Sequence, residues 1–178
     1  SGNVFMVGKY GASSSIALGN GQYLTSAPNN SAFLVKYNSS GDAQWGKNIG
    51  GSGNYLYGKS TVADSNGNVY ITGRYSSSSG VSLGNSVTLP IVSSGLRTFV
   101  IKYNTSGTAQ WANSINDSGS GNLKGLGIAT DSNGNVIVTG HYNGSPSFTP
   151  SISLPSSQGY ANPFIVKYNT SGTIQWAN

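Results

Sequence analysis

Residues 99–104 of this chain have the sequence Phe-Val-Ile-Lys-Tyr-Asn, and close variants of this hexapeptide stand at 33–38 and at 164–169. Each copy is followed by a turn that ends in Ser-Gly and then by a Gln-Trp pair. The tryptophans of these pairs are Trp45, Trp111 and Trp176. Self-similarity at a fixed period indicates a repeat architecture, in which one unit buries its apolar face only against its neighbours.

A second motif runs in phase with the first. Residues 64–73 have the sequence Asp-Ser-Asn-Gly-Asn-Val-Tyr-Ile-Thr-Gly, and residues 131–140 repeat it with two changes. Together the two motifs divide a single repeat region into three units, 1–53, 54–119 and 120–178. Because residue 1 falls inside a unit, we expect the natural start of the protein to lie upstream.

The second motif predicts a hairpin followed by a strand. Along 68–75 apolar and polar side chains alternate between two faces, with the period of two residues that a β-strand has. The Asn-Gly pairs at 66–67 and 133–134 favour tight turns, because both residue types tolerate positive φ. We expect the strand that enters the first of these turns at 60–63.

The first motif predicts two further strands in each unit. In the middle unit they are expected at 99–104 and 109–115, joined by a tight turn. A loop rich in Ser, Gly and Pro precedes them at 76–98, and its apolar stretch 87–91 is expected to form an added edge strand. The prediction is therefore an all-β chain with four antiparallel strands in each period.

Composition limits the functional classes. Charged residues make up 7% of the chain, against about 25% in average proteins. The basic residues are dispersed rather than gathered into a stripe, which argues against nucleic-acid binding. The absence of cysteine excludes a disulfide framework, a thiol nucleophile and a Cys-based metal site. No apolar run approaches the roughly 20 residues that a membrane-spanning helix needs, so we expect no membrane insertion.

At this level of detail the motifs resemble the SBBP-type β-propeller repeat. The resemblance rests on the pattern Asp-x-x-Gly-Asn-Val-Tyr-Ile-Thr-Gly, a loop, and then Phe-Val-x-Lys-Tyr-Asn with a following Trp-Ala, and it covers essentially the whole chain. It implies a β-propeller of four-stranded antiparallel blades. It also implies a secreted or cell-surface protein, mainly bacterial, without enzyme activity. A β-solenoid is the structural alternative, although solenoid coils have shorter periods and few tight hairpins.

The strand count bears on how such a fold could be completed. The three units supply three, four and four expected strands, which corresponds to about three blades. Propeller rings contain about four to eight blades, so we expect a partial ring. The partners would be further copies of this chain in a homo-oligomer, or flanking blades of a longer chain, because uncovered sheets favour association.

Recurrent aromatic residues are the candidate ligand-binding positions, with two interpretations. They could be sugar-stacking platforms in a lectin, or they could pack one blade against the next, where an aromatic ring buries a large area. The lysines of the first motif are expected on a solvated face. The aromatic candidates are Trp45, Trp111, Trp176, Tyr37, Tyr103 and Tyr168, and the lysines are Lys36, Lys102 and Lys167.

The Asp-Ser-Asn-Gly-Asn turns superficially resemble calcium loops, with oxygen ligands at alternate positions. They lack the downstream carboxylate of an EF-hand, and the simpler interpretation is a turn whose Asp side chain accepts from backbone N–H groups. His141 is the one histidine of the chain, and a catalytic role would need a nucleophile and an orienting acid beside it. We therefore predict no catalytic residues, no metal and no cofactor.

Two functions follow as hypotheses. The first is a non-enzymatic extracellular or cell-surface scaffold for adhesion or protein assembly. The second is a multivalent carbohydrate-binding lectin with sites in the loops or between blades, where repeated weak sites would add up to high avidity.

Overall fold

The computed structural model describes residues 2–50, 54–117, 123–149, 151–157 and 159–178. All regular secondary structure in this part of the chain is β-strand, and it holds no helix that could cross a membrane. Its seventeen strands are β1 (Val4–Ala12), β2 (Ile16–Gly19), β3 (Gln22–Leu24), β4 (Ala27–Tyr37), β5 (Ala43–Ile49), β6 (Asn54–Ala63), β7 (Val69–Ser77), β8 (Val81–Ser82), β9 (Thr88–Leu89), β10 (Val92–Tyr103), β11 (Ala109–Asp117), β12 (Leu123–Thr130), β13 (Val136–Tyr142), β14 (Pro146–Thr149), β15 (Ile152–Ser153), β16 (Asn162–Tyr168) and β17 (Ile174–Ala177).

Three antiparallel sheets follow one another along the chain. Sheet 1 has the order β1-β4-β5, sheet 2 contains β6-β7-β10-β11, and sheet 3 has the order β12-β13-β16-β17. The expected strand at 60–63 is longer than predicted and begins at Asn54. The prediction of an all-β chain with antiparallel four-stranded units is confirmed for sheets 2 and 3. None of the described sheets closes on itself.

In each sheet, a small hairpin follows the strand of the second motif (β1, β7 or β13) and precedes the strand of the first motif (β4, β10 or β16). These hairpins are β2-β3, β8-β9 and β14-β15, and the last of them extends sheet 2 through pairing of β14 with β11. The prediction that 87–91 adds an edge strand to its sheet was wrong. Thr88–Leu89 pairs with Val81–Ser82 instead, and Val81 and Leu89 are buried in the core, because two apolar residues on so short a hairpin are best covered by the face of the sheet.

The core lies between the sheets. One cluster joins Leu34 of sheet 1 to Ile71 and Ile101 of sheet 2. A second joins Val100 of sheet 2 to Val138 of sheet 3. Sheet 2 is therefore covered on both faces, and this explains why the alternation along β7 does not produce a solvated face: Tyr70 and Thr72 are as fully buried as Val69 and Ile71.

The glycine of the Thr-Gly pair in the second motif allows the strands of one sheet to lie unusually close. A Cβ on Gly73 would stand 1.8 Å from the carbonyl oxygen of Tyr57, and a Cβ on Gly140 would stand 2.0 Å from that of Lys124. Glycine is required wherever another backbone approaches this closely.

Candidate binding surfaces at the seams between sheets

We use the word seam for the contact between the Trp and Lys of one sheet and the Asn-x-Ser-Gly turn of the next. In the first seam, the indole Nε1 of Trp45 donates to the carbonyl oxygen of Thr105 at 3.2 Å. Nζ of Lys36 donates to the same oxygen at 3.3 Å. Lys36 and Trp45 are neighbours across the β4-β5 pairing, so the sheet itself places both donors beside one acceptor.

The second seam repeats this arrangement. Trp111 Nε1 and Lys102 Nζ both donate to the carbonyl oxygen of Thr170, each at 3.1 Å. A Cβ on Gly172 would lie 2.7 Å from the ring of Trp111, so the indole lies flat against the turn only because glycine is there. Lys36 and Lys102 were expected on a solvated face; they are half-buried, and each ammonium also donates to a carbonyl on the next sheet.

The tyrosine candidates lie deeper in the same seams. Tyr103 and Tyr168 are 2% and 3% exposed, and burial raises the pKa of both phenols. The rings of Trp111 and Tyr168 approach to 6.3 Å between centroids. Tyr37 occupies the equivalent position on sheet 1, where none of the described sheets covers it from the other side, and it is only half-buried.

Half of a seam is left open at each end of the described structure. Trp176 on sheet 3 is 39% exposed, and Lys167 forms an ion pair with Asp131 at 2.9 Å instead of reaching a carbonyl on another sheet. On sheet 1, the turn at Gly41 has nothing within 4 Å of the place where the Trp ring packs in the other copies. The outer face of sheet 1 also exposes apolar residues, with Val4 58% and Met6 42% accessible.

A cleft of about 210 Å³ opens beside the second seam. Its lining combines the side chain of Phe148 and the largely buried Tyr168 with polar groups from both neighbouring sheets. Its lining residues are Asn113, Ser114, Phe148, Thr149, Tyr168, Gly172, Thr173 and Ile174. Aromatic surface next to hydroxyl and amide groups is the general composition of small-ligand sites.

The Asp-Ser-Asn-Gly-Asn turns use their carboxylates to hold the backbone, as the simpler interpretation predicted. Oδ1 of Asp64 accepts from the backbone N–H groups of Asn66 and Asn68, and its Oδ2 accepts from the Asn68 amide and the Tyr70 hydroxyl. Burial opposes ionisation of Asp64, but these hydrogen bonds outweigh it and lower its pKa.

The turn of sheet 3 has the same backbone bonds to Asp131. No group of three potential metal ligands occurs in the described part of the chain. His141 is half-buried on β13, where its register partner is Lys124.

Sequence reasoning identified the aromatic side of each seam but missed the acceptor side. The acceptors are backbone carbonyls of Thr105 and Thr170, which carry no side-chain signature. The available signal was the glycine that ends each Asn-x-Ser-Gly turn, since Gly107 and Gly172 have φ values of 74° and 82° and lie directly under a tryptophan.

Comparisons with known proteins find one family match and distant similarities. Residues 44–74, from the last strand of sheet 1 into the second strand of sheet 2, match the SBBP family, described as a β-propeller repeat. An uncharacterized WD repeat-containing protein of Acanthamoeba polyphaga mimivirus is 31% identical over an alignment that takes in 82% of this chain. The chain spans only 12% of the length of that relative.

A solved structure of a protein of unknown function from Bacteroides caccae covers 96% of this chain and 92% of its own length, at 8% identity and a TM-score of 0.31. That score is too low to support an argument about the fold. The segment 44–74 therefore matches the SBBP β-propeller repeat, and the two seams recur at the period of the sequence motifs.

Proposed function

We propose that this chain is a non-enzymatic β-propeller scaffold for protein assembly, acting outside the cell or on its surface, in which each sheet is one blade. The observation that supports the proposal is the pair of complementary half-seams. Sheet 3 presents the donor half, Trp176 and Lys167, and sheet 1 presents the acceptor half, the turn at Gly41. The occupied seams join the same two halves between neighbouring sheets.

The apolar surfaces beside the half-seams match as well. Val136 and Val138 of sheet 3 pack against Tyr70 and Val100 of sheet 2 in the second cluster. Val4 and Met6 hold the repeat positions of Val136 and Val138, and they lie exposed on sheet 1. The opposite face, on sheet 3, offers a groove of about 260 Å³ lined by apolar side chains that include Ile128 and Ile137.

A contact between two different surfaces of the same molecule is heterologous, so it produces a ring if the rotation closes and a filament if it does not. Two copies would bring six blades together, which lies within the range of about four to eight that propellers use. Flanking blades of a longer chain fit the same half-seams. For the three blades of this chain alone, the partner that we propose is a second copy.

The test is the native mass, measured by light scattering over a range of protein concentrations. We expect a mass above that of one chain. Val4→Glu should shift the mass towards that of one chain, because the new carboxylate would be buried between the apolar faces of the two copies. Ile91→Glu is the matched control, since Ile91 is also 58% exposed but belongs to the loop after β9. A mass of one chain for the unmodified protein at all concentrations, together with a cooperative melt, would rule out this assembly.

A carbohydrate-binding function is the second candidate, and the cleft beside the second seam favours it. The cleft places the half-buried Phe148 near the hydroxyl groups of Thr149 and Thr173, as stacking and hydrogen bonding to a sugar would require, whereas Tyr168 is too deeply buried to offer a stacking surface. A broad glycan array tests it, with Thr173→Val as the variant, because Thr173 is exposed and its removal leaves the core intact. Binding that Thr173→Val abolishes without a change in melting temperature supports a lectin, and no binding across the array leaves the scaffold.

A further inference from the structure

Two cationic side chains, Lys9 and Arg74, lie beside the phenol of Tyr57. They lie at the end of the sheets opposite to the aspartate turns. Nζ of Lys9 donates to the hydroxyl of Tyr57 at 2.9 Å and lies 4.4 Å from the centroid of its ring. The guanidinium carbon of Arg74 lies 4.9 Å from the same centroid. Lys9 comes from sheet 1, whereas Tyr57 and Arg74 are register partners in sheet 2, so this cation cluster spans the boundary between two sheets.

The described aspartates are too far away to neutralise this charge. Asp64 follows the end of β6, seven residues beyond Tyr57, which corresponds to roughly 20 Å along a strand. Asp42 and Asp131 lie beyond the ends of β4 and β12 in the same way. Asp117 lies on β11, two strands away from β7 in sheet 2, and its side chain is outside the described residues.

Arg74 has hydrogen-bond donors that no described residue satisfies. Its guanidinium carries five N–H donors, yet no described residue accepts a hydrogen bond from it, and its Nε is buried without a partner. Arginine donors are arranged in a planar fork that fits the oxygens of a carboxylate, sulfate or phosphate group. An oxyanion that enters this site would therefore accept hydrogen bonds from the unpaired N–H groups of Arg74.

Tyr57 responds to the positive potential around it. The hydrogen bond from Lys9, followed by the one that Tyr55 donates at 2.6 Å, lowers the pKa of the Tyr57 phenol. A phenol whose ionised form is favoured reports that the site prefers negative charge.

The cationic positions continue around the repeat. Lys9, Arg74 and His141 occupy the same place in the three units, and Lys124 stands on β12 where Tyr57 stands on β6. The same end of all three sheets therefore carries basic or titratable groups, although the basic residues look dispersed along the sequence.

We propose that Lys9, Arg74 and Tyr57 form a binding site for an oxyanion, namely the sulfate, phosphate or carboxylate group of a ligand. Lys9 supplies a point charge, Arg74 supplies a fork of N–H donors, and the hydroxyl groups of Tyr55 and Tyr57 complete the polar surface. This site is separate from the seams and does not depend on the assembly proposed above.

Isothermal titration with inorganic sulfate, inorganic phosphate, acetate and glucose 6-sulfate tests the site on the intact chain, with glucose as the neutral control. We expect saturable binding of at least one of these anions, and Arg74→Gln and Lys9→Gln should each weaken it more than tenfold. Lys167→Gln removes the same charge from the aspartate end of sheet 3 and should change the affinity less than twofold. Tighter binding of glucose 6-sulfate than of sulfate would identify an acidic saccharide as the ligand, and equal affinities would identify a free oxyanion.

A second readout covers the case in which Arg74→Gln fails to fold. A bound anion adds negative charge beside Tyr57, so it should raise the pH at which the phenolate absorbance of the protein first appears, and Tyr57→Phe should abolish that shift. The proposal is overturned if none of the anions binds saturably, or if Lys167→Gln weakens binding as much as Lys9→Gln does.

Discussion

Sheets 1 and 2 carry nearly the same motif but bury it to different extents. Val69 and Ile71 on sheet 2 are fully buried, whereas Val4 and Met6, at the same repeat positions on sheet 1, are 58% and 42% exposed. Both strands, β1 and β7, pair with the strand of the first motif in the equivalent register. The difference is the neighbour: sheet 1 covers the face of sheet 2, and no described sheet covers the outer face of sheet 1.

This comparison shows that burial in the protein is a property of the contact between units rather than of a unit. Burying an aliphatic side chain contributes about 1.5 to 3 kcal/mol to the free energy of unfolding. The uncovered face of sheet 1 therefore lacks stabilisation that the equivalent, covered face of sheet 2 has. The stability of a repeat protein is approximately the sum of the stability of each unit and the stabilisation from each contact between neighbouring units. In this protein the two contributions can be separated by making the same substitution at a covered position and at the equivalent uncovered position.

The largest difference is expected at the seam tryptophans. Trp111→Ala should lower the free energy of unfolding by about 3 kcal/mol, because it removes the ring from Gly172 and Tyr168 and leaves the carbonyl of Thr170 with one donor fewer. Trp176→Ala, in the open half-seam, should cost less than about 1 kcal/mol. Urea unfolding at a concentration where the chain is monomeric measures both.

Equal losses for the two variants would contradict the comparison, since they would mean that the tryptophan stabilises its own sheet rather than the next one. Trp111→Phe separates the two parts of the contact. It retains most of the ring packing and loses only the hydrogen bond to Thr170, which is worth about 1 kcal/mol.

A smaller difference is expected at the glycines of close approach. Gly73→Ala should cost about 2 kcal/mol, because the new methyl group would meet the backbone carbonyl of Tyr57 at 1.8 Å. At Gly8 the nearest atom is a ring carbon of Phe33 at 2.8 Å, and this side chain is only half-buried and can move. Gly8→Ala should therefore cost less than half as much in the same urea experiment.

The reverse order, with Gly8→Ala the more harmful, would show that sheet 1 is held more tightly than its exposure indicates. The close approach at Gly73 exists because β6 pairs with β7 inside sheet 2. In sheet 1, the described strands include no equivalent of β6, which is why the same glycine meets a side chain there instead of a backbone.

The sequence was sufficient for the strands and turns of the two repeated motifs, because local signals define them. The Asn-Gly turns, the alternation along β7 and the Gln-Trp strand all lie where the pattern predicted them. The hairpin β8-β9 was not predictable, since an apolar stretch such as 87–91 fits an edge strand and a separate hairpin equally well. Only the surface that covers Val81 and Leu89 decides between them.

The candidate sites were predictable in part for a similar reason. Period and residue type identified Trp111 and Tyr168 as positions that the repeat retains, but the partner of Trp111 is a backbone carbonyl 59 residues away. Contacts at that separation depend on how the sheets stack. The cation cluster was hidden for the same reason: Lys9, Tyr57 and Arg74 come together only through the approach of sheet 1 to sheet 2.

The smallest difference is expected between the aspartate turns in acid. In sheet 2 the hydroxyl of Tyr70 donates to Asp64. Sheet 3 has Ile137 at that position, and Asp131 takes Lys167 as its partner, since no further sheet among the described residues offers this lysine a carbonyl. The hydrogen bond from Asn135, followed by the contact with Lys167, holds the pKa of Asp131 well below its usual range.

A carboxyl group whose pKa is lower in the folded state binds fewer protons there than in the unfolded chain, so its contribution is present above about pH 4 and is lost as the pH falls further. The melting temperature should therefore decrease from pH 5 to pH 2.5, and Asp131→Asn should make that decrease smaller. Lys167→Met removes only the ion pair and should have a weaker effect than Asp131→Asn. If Lys167→Met leaves the acid dependence unchanged, the turn alone sets the pKa of Asp131. If instead it abolishes as much of the dependence as Asp131→Asn, the open half-seam is already stabilised within its own sheet, and covering it with another blade would have to break that ion pair first.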